Sequence, residues 1–159
     1  MENSLDARHD QEPLGKTLAR GAIAGLAGVS VMTAFQKLVE MPLTGRKNSF
    51  APAKMATKLL PLGSKRQDDP RVNYATHFAL GVGWGAARGI AARTGLSGQP
   101  AVIAVFAILW SGDVIAMTAL GLDQPPTRWS RRDLAIDVID KLVLAQAIGV
   151  IFEQLERRR

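Results

Sequence analysis

AVIAVFAILWSGDVIAMTALGL, residues 101–122, is a run of membrane-spanning length with a single ionisable residue, Asp113, near its middle. About 20 consecutive, mostly apolar residues are what a helix needs to cross a bilayer core. An Asp near the centre of such a helix costs roughly 2.5–3.5 kcal/mol on insertion scales, so it is turned inward, toward a partner or a polar cavity. Working outward from this segment, the chain reads as all-α, an integral membrane bundle of four transmembrane helices over approximately 18–40, 73–93, 101–122 and 133–153.

The first and second spans rest on the placement of charge. Between Arg20 and Lys37 no residue is charged, and between Arg71 and Arg88 only His77 titrates near neutrality. Both stretches are 16 residues long, and flanking Lys and Arg lengthen them by snorkelling. The fourth carries Asp137, Asp140 and Lys141 in its N-terminal half and spans only if that half is shielded from lipid. The first helix is expected to stop before Pro42. The second ends near Gly95 and Gly98, and Pro100 opens the third.

Residues 1–15 form a polar leader, expected to be disordered, ahead of a single membrane domain over 16–156 and a basic tail, 157–159. The connection 42–72 is long and basic. Met55, Leu59 and Leu60 recur there at helical spacing beside Lys54 and Lys58, which predicts a short interfacial helix over 52–60. In the segment DQPPTRWSRR, residues 123–132, Trp129 is an expected interface anchor. Four spans put both termini on one side. The connections after the first and third helices hold ten Lys and Arg against seven on the opposite side, a small excess that leaves orientation open between the two sides.

At 47% hydrophobic the average composition is ordinary for a soluble domain, so the distribution of residues has to decide. The net charge of +6 would suit nucleic acid, but the basic residues flank apolar runs, which matches anionic lipid headgroups. No nucleic-acid partner is expected; a homo-oligomer or a partner membrane protein is compatible with the pattern. Without cysteine, and with His9 and His77 as the only histidines, the chain offers no disulfide and no thiolate or all-His metal site. No cofactor is implied.

Small residues at four-residue spacing let membrane helices approach closely. Gly21, Gly25 and Gly28 do this in the first helix and Gly81, Gly85 and Gly89 in the second. A soluble helix would lose about 0.8–1 kcal/mol for each glycine against Ala. The intramembrane polar groups also share a depth. With about 1.5 Å of rise per residue and centres set near Ser30, Gly83, Ser111 and Val143, Gln36, His77, Asp113, Asp137, Asp140 and Lys141 all fall about 3–9 Å toward the side of the two connections. These six are the candidate polar cluster. Either Asp113 pairs with Lys141 or His77 to neutralise a buried charge and fix register, or the group lines a polar cavity for protons, an ion or a small solute. Arg88, about 7.5 Å toward the other side, is expected to snorkel to that interface.

The Gly-rich first helix GAIAGLAG, the loop APAKMATKLLPLG, the block HFALGVGWGAARG and the Asp-containing last helix together resemble the YagU-like family of small bacterial inner-membrane proteins, over roughly residues 16–153. The resemblance implies a bacterial cytoplasmic membrane and carries over no catalytic residue. The chain has no Ser/His/Asp spacing, HExxH or GxxxxGK[ST] run. The expectation is therefore a non-enzymatic, multi-pass structural or accessory component, with a transporter or proton- or ion-conducting protein as the alternative.

Overall fold

The computed structural model describes residues 12–158, all helical or loop with no strand among them. Four long helices make an up-and-down bundle: α1 Leu14–Phe35, α3 Pro70–Arg93, α4 Gly98–Ala119 and α5 Arg131–Arg157. A short helix, α2 Ala51–Leu59, lies in the first connection and packs on α3. Most of the expected leader, residues 1–11, lies outside the described residues, as does Arg159 of the tail. Helix α1 nevertheless begins before residue 15, and Arg157 closes α5 instead of standing in a free tail.

Pro42 does not stop the first helix. Beyond Phe35 the chain makes a π turn, Gln36–Glu40, and then a last α turn, Met41–Thr44. The Met41 N–H bonds to the Gln36 carbonyl five residues back. This wider turn takes up the proline, whose ring would crowd the carbonyl four residues earlier in regular α geometry. The helix ends at Gly45, where φ of 69° is the left-handed cap that glycine supplies without strain. The starts of the other three long helices move outward by two or three residues, while the second still ends at Arg93 and the third stops at Ala119, short of the expected 122. Pro70 is a first-turn proline behind the Asp69 cap, which accepts from the Arg71 N–H, and the Ser130 hydroxyl oxygen accepts from the Asp133 N–H at the start of α5.

Helix α1 is the centre of the bundle and packs most closely on α3 and α5. At its crossing with α3, backbone meets backbone. A methyl group at Gly85 would overlap the Gly21 carbonyl oxygen and stand 2.5 Å from Gly25 Cα. Gly81 faces Val29, and Gly89 faces the Thr17 carbonyl. Gly28 instead admits Ile148 of α5. The six packing glycines therefore serve contacts within the chain, five at the α1/α3 crossing and one at α1/α5. Around them Ala24, Val29, Met32, Leu109, Leu144, Ile148 and Phe152 form the apolar core.

Two helices are long and apolar enough to cross a membrane by length and composition: the continuous helix Leu14–Thr44, and α4. Only 33% and 28% of their apolar windows are buried inside the protein, whereas the core helix of a soluble bundle would be mostly covered. By that measure there are two spans, not the four expected. Helix α3 falls short because His77, Arg88 and its glycines lower its mean hydropathy, and α5 because Asp137, Asp140 and Lys141 put three charges into an otherwise apolar stretch. None of these five side chains belongs to the exposed face.

Candidate functional site: a polar cavity between the long helices

The C-terminal ends of α1 and α4 and the N-terminal ends of α3 and α5 meet at one end of the bundle. A cavity of about 390 Å³ opens there, and Gln36, His77, Asp113, Asp137, Asp140 and Lys141 all line it. Four helices contribute to this group, and the loop 46–50 with Pro52 and Met55 forms the rim. Asn73 ties that rim to α3. Its side-chain carbonyl accepts from the Ala53 N–H at 3.1 Å, and its amide donates to the Ser49 carbonyl at 3.0 Å.

Lys141 is the hub of the floor. Its ammonium stands 2.9 Å from Asp113 Oδ2 on α4 and also bonds Asp137 Oδ1 one turn back on its own helix. Asp137 is held from its other side by the Trp110 indole N–H, 3.0 Å from Oδ2. The Lys141 side chain is 15% exposed and that of Asp113 37%, the latter facing the open cavity. Of the two partners that the sequence offers Asp113, Lys141 is the one taken. His77 is elsewhere, its Nε2 3.1 Å from the Thr33 hydroxyl and its ring edge-on to Phe78. Asp140 accepts from the Gln36 amide at 2.8 Å. Asp133, one turn before Asp137 on α5, is exposed and accepts from the Ser130 hydroxyl at 2.6 Å, so it belongs to the helix cap and stays out of the cavity.

Glu40, Thr33, Trp84 and Trp110 were not among the sequence candidates. Glu40 is buried on the π turn, lines the cavity and accepts from the Thr44 hydroxyl at 2.9 Å. Trp129 also lines the cavity, and its indole donates to the Gln124 carbonyl at 2.7 Å. Among the described residues no three His, Asp or Glu side chains converge in a metal-ligand arrangement.

Arg88 does not snorkel. It is fully buried, with Nη2 3.2 Å from Glu153 Oε1 on α5 and its guanidinium stacked 4.7 Å from the Phe152 ring centre. The same Glu153 oxygen accepts from the Gly98 N–H at the start of α4, at 2.8 Å. One carboxylate thereby joins three helices at the end opposite the cavity. The pair was legible in principle: Glu153 is the next acidic residue along α5 toward that end.

Set against known proteins, the chain matches no protein-family model, no curated protein and no solved structure.

Proposed function

We propose that this chain is a four-span integral protein of a bacterial cytoplasmic membrane, with both termini on one side, serving as a structural or accessory component that catalyses no reaction of its own. The observation that carries this is an inversion of the soluble pattern. Ile103, Ile108 and Ile115 are 62%, 63% and 66% exposed, while Arg88 is 0% and Asp140 9% exposed. Helices α3 and α5 share the inversion despite their polar residues. Between Asp133 and Gln154 every exposed residue of α5 is apolar, namely Ala135, Ile139, Leu142 and Val150. Together the four helices present an apolar belt free of charge over about 20 residues each, close to the 30 Å of a bilayer core. The resemblance to the YagU-like family gives the same compartment. Alkaline carbonate extraction of membranes carrying a tagged copy tests it. Retention in the pellet, with release by detergent, is expected; release into the carbonate supernatant overturns it.

A second reading is favoured by the cavity: a transporter, or a proton- or ion-conducting protein. Six polar or ionised side chains from four helices line one space, and ionisable residues inside a membrane protein commonly mark an ion or proton path. Proteoliposomes with a pH-sensitive dye inside test proton conduction. An acid-driven signal above that of protein-free vesicles is expected on this reading, and its absence with correctly inserted protein removes the proton branch.

A further inference from the structure

A second, smaller recess lies at the same end of the bundle as the polar cavity, on the outside, between the end of the first helix and the start of α5. Phe35, Val39 and Leu43 form one wall and Ile136 and Ile139 the other. Val39, Leu43 and Ile139 are 41%, 80% and 47% exposed, so the recess is an apolar groove left open along its length. Its volume, about 140 Å³, is under half of the roughly 300 Å³ at which enclosed small-molecule sites begin. An occupant has to lie along the groove with much of its surface outside, as a hydrocarbon chain does. Glu40 is the one acid on the wall; it is buried, and its Oε1 accepts from the Thr44 hydroxyl at 2.9 Å.

The groove has a charged mouth. Arg132, Ile136 and Ile139 follow at i, i+4 and i+7 and so share a face of α5, with Ile139 about 10 Å farther along the axis than Arg132. The Arg132 guanidinium is fixed at that mouth by donating from Nη2 to the carbonyl of Thr44, a residue that itself lines the groove. Its other N–H groups have no partner among the described residues. Arg128 and Arg131 are exposed close by in sequence, and none of the three arginines forms an ion pair among the described residues. Asp133, the acid next to them, accepts from the Ser130 hydroxyl. A guanidinium offers a phosphate two parallel N–H bonds, and clustered basic residues beside an apolar surface favour an anionic headgroup over a zwitterionic one.

We infer that this groove seats one anionic phospholipid, its phosphate on the Arg132 guanidinium and an acyl chain running inward past Leu43 and Val39 against Ile139. Cation and hydrocarbon follow one another along the groove in the order in which phosphate and chain follow one another along such a lipid. The inference rests on the membrane reading above and names the lipid class that the protein retains.

Native mass spectrometry of the full chain, released from micelles holding equal amounts of dioleoylphosphatidylglycerol and dioleoylphosphatidylcholine, tests it. Retention of one phosphatidylglycerol is expected, favoured at least about fivefold over phosphatidylcholine, the effect of one basic side chain at a lipid surface. Arg132→Gln should lower that ratio about fivefold. Lys65→Gln, which removes the same charge from the first connection, at the same end of the bundle but outside the groove, should leave it unchanged. Val39→Trp fills an exposed position of the groove and should lower phosphatidylglycerol retention. Equal retention of the two lipids by the wild type overturns the proposal. So does an equal loss of preference in Arg132→Gln and Lys65→Gln, which makes the selectivity a matter of general surface charge, or undiminished retention in Val39→Trp, which removes the chain from the groove. The membrane reading fails separately. A protein that stays monodisperse without detergent and retains neither lipid overturns both, whereas one that needs detergent yet takes the two lipids equally overturns only the groove.

Discussion

Lys141 answers two carboxylates from different helices, and that makes the three residues unequal. Asp113→Ala leaves Lys141 paired with Asp137, whereas Lys141→Met leaves Asp113 and Asp137 facing each other across the floor. Removing one partner from a buried pair costs about 3–5 kcal/mol. Lys141→Met is therefore expected to lose about 3 kcal/mol of stability, Asp113→Ala about 1, and the joint replacement Asp113→Leu with Lys141→Met less than Lys141→Met alone. Denaturant unfolding in detergent, followed by tryptophan fluorescence, checks the order; an Asp113→Ala loss exceeding that of Lys141→Met contradicts it. At this scale the sequence was informative where depth along a helix decides: the six polar residues share one cavity because they share one level. It was blind to Glu40. Burial of that residue depends on the π turn, which adds a residue to one turn and shifts everything after Gln36 around the axis, something no regular helical count anticipates.

Among the elements, the α1/α3 crossing separates two glycines that look alike in sequence. Gly83 is exposed, with nothing within 4 Å of where a methyl would sit, while a methyl at Gly85 would strike the backbone of α1. Gly83→Ala is expected to raise stability by up to about 1 kcal/mol through helix propensity. Gly85→Ala should lower it by more than about 2 kcal/mol, since backbone cannot move aside as a side chain does. Thermal unfolding of the two variants in the same detergent measures both, and a shift of equal sign would rule out the backbone contact. The four-residue spacing of glycine was legible from the chain; its division between α3 and α5 was not, because Gly28 lies on the flank of α1 that meets Ile148. Helix ends failed for a different reason. Proline is a reliable stop only in regular α geometry, and at Pro42 the π turn removes the clash.

Along its middle the molecule turns Arg88 and Asp140 inward and Ile103, Ile108 and Ile115 outward, and the absence of cysteine makes its topology directly measurable. Single cysteines placed at Ser64 and Gln124 should label with a membrane-impermeant maleimide from one face of sealed vesicles, and one at Leu96 from the other. Labelling of Ser64→Cys and Leu96→Cys from the same face would break the four-span arrangement. The all-helical architecture was legible because apolar runs and proline or glycine breaks alternate plainly along the chain. That α3 falls short on mean hydropathy and α5 on its three charges reflects what composition alone conceals: neither a mean nor a count can tell a polar face turned inward from one turned out.

This arrangement also bears on how the chain is put together. Each strongly apolar helix is followed by a polar one, α1 by α3 and α4 by α5. Arg88 finds Glu153 only on the last helix, and Asp113 finds Lys141 only there as well. If the chain spans the bilayer as proposed, α1 and α4 enter on their own apolarity, while the charges of α3 and α4 stay unanswered until α5 arrives. On that arrangement assembly is completed from the C-terminal end, since a chain lacking α5 would leave Arg88 and Asp113 without their partners.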